Sequence, residues 1–382
     1  MITNLTLKNR LINKVIFKLK KKIIFVGSFV SSSDSLSHFG FSQAANLYQE
    51  KFINFTDPEL IISVLPIFFN EKRKFTYHKN VRFINNQSGL KNKFNYLYRL
   101  LTDTLEVFNT IRKSNVKDVF FYNLDYQNFI VVSLVKFILN KNVFVIIADY
   151  DNYKGRLIDK IFIKIFKKIN GVIALNSNIK SNINSKLLLG LLYSNEIELN
   201  NSKLLNRNVI LSGSLGKTTG LEFALEFFSK NQQYNLFITG RAFRYDEKDF
   251  NLLIQKYQNN FSNIKYLGLL DYNDYVLLLK DCDVALSFRN PSDDEHNYNF
   301  PSKILEYLSK SKIVISTKKY PDLQDGLLFY TDYSIDSLSQ IFSHIYSLDG
   351  DEVLNVRNNI YQYLRANFTE EHTVEIVNEL IK

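Results

Sequence analysis

Residues 209–221 read VILSGSLGKTTGL, and this stretch sets the pattern of the whole chain. Val209–Ser212 has the composition of a short buried strand, and the glycines after it favour a tight turn. Helical spacing then runs over Gly220–Lys230. A strand that passes through a glycine turn into a helix is the repeating unit of a parallel sheet covered by helices. The stretch therefore predicts the α/β class.

The same unit recurs on both sides of this stretch. Short β-branched or aromatic runs predict the following strands: Lys22–Val26, Leu60–Leu65, Val81–Ile84, Val119–Tyr122, Val143–Ala148, Val172–Leu175, Val209–Ser212, Leu236–Thr239, Ile264–Leu267, Val284–Phe288 and Ile313–Ser316. A polar, asparagine-rich segment, Tyr193–Asn208, separates the two series. The chain is thus predicted to form two doubly wound Rossmann-like domains, residues 1–204 and 205–364, with the helical residues 365–382 completing the first.

Composition excludes several classes of protein. The only cysteine is Cys282, and the five histidines are scattered, which argues against disulfides and a metal site. No apolar run reaches the length of about 18 residues that a transmembrane helix needs. Because no secretory signal is recognisable either, we expect a cytoplasmic protein. The formal net charge of +10 suits nucleic acid, an anionic membrane surface or a phosphorylated small molecule.

Ligands of open α/β sheets bind at the carboxyl ends of the strands, so two such domains are expected to hold their ligand in the cleft between them. The most informative stretch is NYNFPSKILEYL at residues 297–308, which follows a strand and opens a helix. Free N–H groups of Ser302 and Lys303 in the first turn would attract phosphate. Glu306, one turn later, could accept hydrogen bonds from ribose hydroxyls. An ordinary helix start with a solvated lysine and glutamate is the alternative.

Two glycine turns are weaker candidates. Gly213, Ser214 and Lys217 could bring backbone amides and a cation to a phosphate, although their spacing is not that of a Walker A motif. The turn that starts at Gly27, reading GSFVSSSDSLS, offers hydroxyls and a flexible backbone to an acceptor or a pyrophosphate. On local evidence alone, a polar loop explains it as well.

Two charged residues follow predicted strands. Asp149 could orient or deprotonate an acceptor hydroxyl, or it could cap the next helix. Arg241 could pair with a phosphate, or it could be an ordinary surface arginine.

The second half of the sequence resembles family 4-type glycosyltransferases of bacterial polysaccharide and glycan assembly. The resemblance covers roughly Val209–Tyr320 and rests on the order and spacing of these elements: Ser212–Gly213–Ser214, Lys217 with Gly220–Leu221, Ile238–Thr239–Gly240, Ile264–Gly268, Asp281–Val284 and Asn299–Tyr307.

That resemblance implies a GT-B fold, in which two Rossmann-like domains face a central cleft, and a retaining transferase that requires no metal or other cofactor. It implies a nucleotide-sugar donor such as a UDP- or GDP-sugar. Glu306 would hold the donor ribose, and Ser302 and Lys303 would lie at the diphosphate. Lys217 would be a further phosphate contact, and Asn299 and Phe300 belong to the same donor-binding segment.

One position departs from the family pattern. The first glutamate of the E-x7-E element would fall at residue 298, which is Tyr298, so Glu295, Asn297 or Asn299 would have to take its place. Tyr298 favours a second interpretation, a non-catalytic GT-B-like subunit that binds a partner transferase or a glycan. A third is another enzyme on the same fold, such as a sugar-nucleotide epimerase.

The positive charge is concentrated in two segments. Met1–Lys22 holds seven Lys or Arg and no acid, and Lys154–Lys168 would form a basic amphipathic helix. Such helices suit an anionic membrane interface, although a core-facing helix with a solvated basic face would look the same. We therefore expect peripheral binding to the inner face of the cell membrane. The resemblance to family 4-type transferases implies a lipid-linked or oligosaccharide acceptor. No nucleic-acid motif is present, so nucleic acid ranks last among the partners.

Overall fold

The computed structural model describes residues 19–30, 43–65, 79–86, 93–124, 126–148, 164, 166–177, 184–291 and 302–382. These residues form two sheets with helices between the strands.

The first sheet has seven strands in the order β3-β2-β1-β4-β5-β6-β7. Its strands are β1 (Ile23–Gly27), β2 (Leu60–Val64), β3 (Val81–Ile84), β4 (Asp118–Tyr122), β5 (Asn142–Ile147), β6 (Gly171–Ala174) and β7 (Ser185–Leu187). The helices described among them are α1 (Gln43–Thr56), α2 (Lys93–Arg112) and α3 (Tyr126–Phe137). β1 pairs in parallel with both β2 and β4.

The second sheet has six strands in the order β10-β9-β8-β11-β12-β13. Its strands are β8 (Asn208–Leu215), β9 (Asn235–Ala242), β10 (Ile264–Tyr266), β11 (Val284–Ser287), β12 (Ile313–Ser316) and β13 (Leu328–Tyr330). Its helices are α4 (Leu221–Lys230), α5 (Glu247–Asn260), α6 (Tyr272–Asp281), α7 (Ser302–Ser309), α8 (Ile335–Ser347) and α9 (Gly350–Asn367), and α10 (Glu370–Leu380) ends the chain. All pairings in this sheet are parallel.

Central and edge strands differ in composition. The central strands β1 and β12 are short apolar runs in which every residue is buried. Both faces of such strands are covered by helices, so the apolar run is continuous rather than alternating. The edge strand β3 is only partly buried.

Contacts within the chain divide it into two compact units. The first contains residues 1–145, 168–171 and 370–382, and the second contains residues 146–167 and 172–369. In the first unit α10 packs against α1, and the Lys20 N–H donates to Asn378 Oδ1 at 2.8 Å. The domain boundary after residue 204 stays a prediction.

Two strands were not predicted from the sequence, β7 and β13. Each has three residues and lies at the edge of its sheet. A three-residue edge strand is too short to show an alternating apolar pattern, so only its pairing with a neighbour reveals it.

Among the described residues, no helix combines the length and the apolar character needed to cross a membrane.

Candidate functional site

Two glycines face each other where β8 pairs with β9. Gly213 is opposite Gly240, and Ser214 is opposite Arg241, because both strands continue to Leu215 and Ala242. The sequence placed Gly213 in a turn and Arg241 after its strand, and both placements are wrong. Glycine usually weakens a strand. Here it is needed, because a Cβ on Gly240 would lie 1.9 Å from the Gly213 carbonyl oxygen.

Replacing Gly240 with alanine should therefore lower the free energy of unfolding by about 3 kcal/mol, because the new methyl group meets backbone that cannot move aside. Gly240 also has a φ of +140°, which strains any other residue. Gly268 is a matched control, since its φ is +70° and an added Cβ would meet nothing within 4 Å. We expect Gly268→Ala to cost only about 1 kcal/mol. Urea unfolding followed by far-UV circular dichroism measures both, and equal losses would contradict the steric argument.

Beside this glycine pair lies a group of five side chains that we call the carboxyl-edge cluster: Ser212, Tyr275, Lys303, Glu306 and Tyr307. Tyr307 connects α7 to β8: its hydroxyl accepts the Ser212 N–H at 3.1 Å and is 2.7 Å from Ser212 Oγ. Ser212 Oγ also lies 3.3 Å from the Tyr275 hydroxyl, which brings α6 to the same point. Ser212 lies level with the carboxyl end of β11, because the neighbouring Leu211 pairs with Leu286. These contacts hold α7 at the carboxyl edge of the sheet.

Lys303 and Glu306 are the charged members of the cluster. Lys303 Nζ is 2.6 Å from Glu306 Oε2, and it lies 4.3 Å from the centroid of the Tyr275 ring. The Lys303 stem runs past Gly213, where an added Cβ would be 3.8 Å from Lys303 Cγ. Both side chains are about one-third exposed, at 37% and 31%. The cation and the carboxylate are thus fixed in position and still accessible to a ligand.

Burial raises the pKa of both tyrosines of the cluster above the ordinary tyrosine value, at which the hydroxyl is already neutral near pH 7. Desolvation is the main cause that raises the pKa of Tyr307, and the nearby Glu306 carboxylate adds to it. Desolvation also raises the pKa of Tyr275, followed by the effects of Tyr307 and Glu306. Both hydroxyls therefore act as hydrogen-bonding groups that orient Ser212 and Glu306 rather than as acids or bases near neutral pH.

Lys217 lies in a different environment from Lys303. The turn begins at Gly216, and Lys217–Thr219 form a single 3₁₀ turn before α4. Lys217 is exposed, and its Nζ lies 5.7 Å from the centroid of the Tyr245 ring. Tyr245 in turn donates a hydrogen bond to Glu222. A phosphate contact through Lys217 or through the exposed Ser214 stays a prediction.

Two basic residues at the same sheet edge were missed by the sequence analysis. Arg289 follows β11 and Lys318 follows β12, and Thr317 Oγ1 joins the two loops by accepting the Arg289 N–H at 2.7 Å. Burial lowers the pKa of Lys318, and the nearby Arg289 lowers it further. Burial raises the pKa of Tyr320, which also contacts Arg289, to about 12. The rule that singled out Arg241, a basic residue after a strand, could have found both.

Gly27 has a packing role in the first unit. A Cβ there would lie 2.1 Å from Gln49 Oε1. Gln49 holds the backbone after β1, because its Oε1 accepts the Ser28 N–H and its Nε2 donates to the Ser28 carbonyl oxygen, each at 2.9 Å. Binding of a ligand by Gly27 stays a prediction.

Several residues proposed from the sequence lie outside the described residues. They are Asp149, Glu295, Asn297, Tyr298, Asn299 and Phe300, and most of Met1–Lys22 and Lys154–Lys168 lies outside as well. In the part of the chain that the structure describes, no three His, Cys, Asp or Glu side chains are grouped so that they could hold a metal ion.

Sequence comparison gives no relatives: no protein-family model matches this chain, and a search of curated proteins finds no match.

The fold, by contrast, has many counterparts among solved structures. HepE of Anabaena, determined with UDP and glucose, is similar over 94% of this chain and 99% of that chain, with a TM-score of 0.67 and 16% identity. A glycosyltransferase of Rickettsia africae is similar over 95% of this chain and 99% of its own, with a TM-score of 0.65 and 15% identity. WaaB, a lipopolysaccharide outer core galactosyltransferase in its apo form, is similar over 94% and 99%, with a TM-score of 0.61 and 15% identity.

These structures are GT-B glycosyltransferases, and the similarity spans nearly the whole chain. The chain therefore has the GT-B fold, and the fold predicted from its sequence is confirmed.

Proposed function

We propose that this chain is a glycosyltransferase that moves a hexosyl unit from a nucleotide sugar to a hydroxyl of a saccharide acceptor. The GT-B fold supports this proposal, as does the fact that HepE was determined with UDP and glucose. Fold alone does not define an activity, so the proposal depends on the chemistry of the site. The observation that carries it is the Lys303–Glu306 pair, held at the carboxyl edge of the second sheet and open to solvent.

In the proposed reaction each charged group of this edge has a role. The Lys303 ammonium and the N–H groups at the start of α7 would bind the diphosphate. The Glu306 carboxylate would accept hydrogen bonds from the ribose hydroxyls. Arg289 and Lys318 lie near enough to the same edge to add positive charge, and Lys217, Ser214 and Arg241 are further candidates from the sequence. A site of this kind stabilises the negative charge that develops on the leaving diphosphate.

The proposed transfer proceeds with retention, as the resemblance to family 4-type enzymes implies. The acceptor oxygen bonds to the anomeric carbon on the face from which the diphosphate departs, and the bond between that carbon and the phosphate oxygen breaks. The nucleoside diphosphate leaves with the electron pair and takes up the proton of the acceptor hydroxyl. Asp149, proposed from the sequence, could instead orient or deprotonate that hydroxyl.

The acceptor is proposed to be a lipid-linked saccharide in polysaccharide or glycan assembly. The similarity to WaaB, a lipopolysaccharide outer core galactosyltransferase, supports this class of acceptor. The charge distribution supports an anionic membrane as a partner, since residues 1–200 contain 29 Lys and Arg against 14 Asp and Glu, a net charge of +15. We accordingly propose that the enzyme acts in the cytoplasm, peripherally on the inner face of the cell membrane.

A transfer assay tests the activity. The purified chain is incubated with radiolabelled UDP-sugars and GDP-sugars and with a bacterial lipid extract, and label is followed into the lipid fraction. Label in the lipid fraction, with release of one nucleoside diphosphate per sugar, is the expected result. Conversion of the donor without an acceptor would indicate an epimerase. Nucleotide binding without turnover would indicate a non-catalytic GT-B-like subunit.

We expect this transfer to need no metal ion. Lys303, Arg289 and the start of α7 supply positive charge where a divalent cation would otherwise neutralise the diphosphate. Excess EDTA should therefore leave the transfer rate unchanged, and Mn²⁺ or Mg²⁺ should not increase it. A rate that is lost in EDTA and restored by Mn²⁺ would contradict this expectation.

A further inference from the structure

An apolar surface runs along α2 in the first unit. It consists of five large side chains on one face of the helix, spaced at i, i+3, i+4, i+7 and i+11: Phe94, Leu97, Tyr98, Leu101 and Leu105. They are between 42% and 76% exposed. Single exposed apolar side chains are ordinary, but a continuous stripe over three turns of one helix indicates a binding surface. We call these five residues the α2 stripe.

The rotation of α2 is fixed by polar contacts on its opposite face. Arg99 and Asp103 are fully buried and form an ion pair with Arg99 Nη2 3.6 Å from Asp103 Oδ2. Arg99 Nη2 also donates to the Leu65 carbonyl oxygen at 3.2 Å, and Asp103 Oδ1 accepts the Asn86 N–H at 3.1 Å. Turning the α2 stripe inwards would expose this ion pair and break both hydrogen bonds. The helix is therefore held with its apolar face outwards.

The exposed, unpaired charge that the structure describes on α2 is positive and lies at the C-terminal end of the helix. The two acidic residues of α2 are Asp103, which is buried, and Glu106, whose Oε1 lies 2.8 Å from Arg82 Nη2. The exposed basic residues Arg112 and Lys113 are at the C-terminal end of the helix. The wider charge has the same sign: residues 1–200 carry a net +15, whereas residues 201–382, with 19 Lys and Arg against 24 Asp and Glu, carry −5.

We propose that the α2 stripe docks this chain on a bilayer that contains anionic phospholipids. Leucine, phenylalanine and tyrosine side chains on one helix face insert at the boundary between headgroups and acyl chains, and basic residues beside them bind acidic headgroups. A second copy of the chain fits the surface less well, because pairing through α2 would bring together two regions of like charge. The inference rests on the membrane association proposed above and adds the surface that makes the contact.

Vesicle sedimentation of the full chain tests the surface. The double variant Leu101→Gln with Leu105→Gln removes two leucines of the stripe. Leu252→Gln with Leu277→Gln is the matched control, because those leucines are 55% and 59% exposed on helices of the second unit. Wild type should sediment with phosphatidylglycerol vesicles and much less with phosphatidylcholine alone. We expect the partition coefficient of the stripe variant onto anionic vesicles to fall about tenfold and that of the control variant to equal the wild-type value.

Three results would overturn the inference: no binding of wild type to anionic vesicles, undiminished binding of the stripe variant, or an equal loss in both variants. If wild type forms dimers in sedimentation velocity that only the stripe variant dissociates, the occupant is a second copy. UDP binding, measured on the same preparations, separates this inference from the proposed function. Vesicle binding without UDP binding would leave the docking surface intact and contradict the donor site.

Discussion

Replacing Glu306 with alanine is expected to lower kcat/KM for the nucleotide-sugar donor about 100-fold, which corresponds to about 2.7 kcal/mol. The reason is that the carboxylate would no longer accept charge-assisted hydrogen bonds from the ribose hydroxyls, and one such bond contributes about 1.5–3 kcal/mol. Loss of the carboxylate also leaves Lys303 without the partner that holds its Nζ at 2.6 Å. Initial rates of nucleoside diphosphate release, measured over a range of donor concentrations, give the value.

Glu226 provides the matched control for this variant. It pairs with Lys230 at 2.7 Å on α4, so it is the same kind of helical ion pair at an exposed site. We expect Glu226→Ala to keep the wild-type kcat/KM. If Glu306→Ala has the wild-type kcat/KM, Glu306 does not bind the donor, and this conclusion holds for any result with the control.

The second large effect is expected on stability. Arg357 on α9 is fully buried, and its Nη2 lies 2.7 Å from Asp283 Oδ1, while its Nη1 donates to the Ser202 carbonyl oxygen at 2.5 Å. Arg357→Ala leaves the Asp283 carboxylate buried without its ion-pair partner, although the buried Lys312 ammonium still interacts with it. Breaking a buried pair in this way typically costs about 3–5 kcal/mol. We therefore expect a loss of that size in the free energy of unfolding.

Arg365 lies on the same helix but is exposed, and it donates to the Ser194 carbonyl oxygen at 3.3 Å. Arg365→Ala should cost less than about 1 kcal/mol. Because the chain has no tryptophan, far-UV circular dichroism in urea is the suitable measurement. If Arg357→Ala unfolds at the wild-type urea concentration, Asp283 does not depend on this arginine.

The central strands could be predicted because their physical cause is local. A short, mostly apolar run such as Ile313–Ser316 is typical of a strand that is buried on both faces of a parallel sheet. The three-residue strand β7, Ser185–Leu187, is defined by its pairing with β6 and not by a pattern in its own residues. Local pattern cannot reveal a strand of that kind.

The glycines of β8 and β9 show why strand ends were misplaced. A glycine after an apolar run usually marks a turn, so the sequence ended both strands early. Gly213 and Gly240 instead face each other, and their lack of side chains lets both strands continue. The pairing of two residues 27 positions apart along the chain is not readable from either one alone.

The candidate site likewise has features that the sequence could predict and features that it could not. The closeness of Lys303 and Glu306 could be predicted, because side chains three positions apart on one helix are neighbours; their role in binding stays a prediction. The anchoring of that helix could not be predicted, because it depends on the contact between Tyr307 and Ser212, which is 95 residues earlier in the chain. The placement of Lys303 over the Tyr275 ring likewise needs the tertiary structure.

The central claim is that the start of α7 binds the diphosphate and ribose of a nucleotide sugar. Isothermal titration calorimetry of the full chain with UDP, GDP, ADP and CMP and with their sugars tests it most directly, for wild type and for Glu306→Ala. The account predicts that a uridine or guanosine nucleotide binds wild type and that Glu306→Ala weakens this binding at least about tenfold. Failure of all of these nucleotides to bind, or equal affinity in the two proteins, would contradict it.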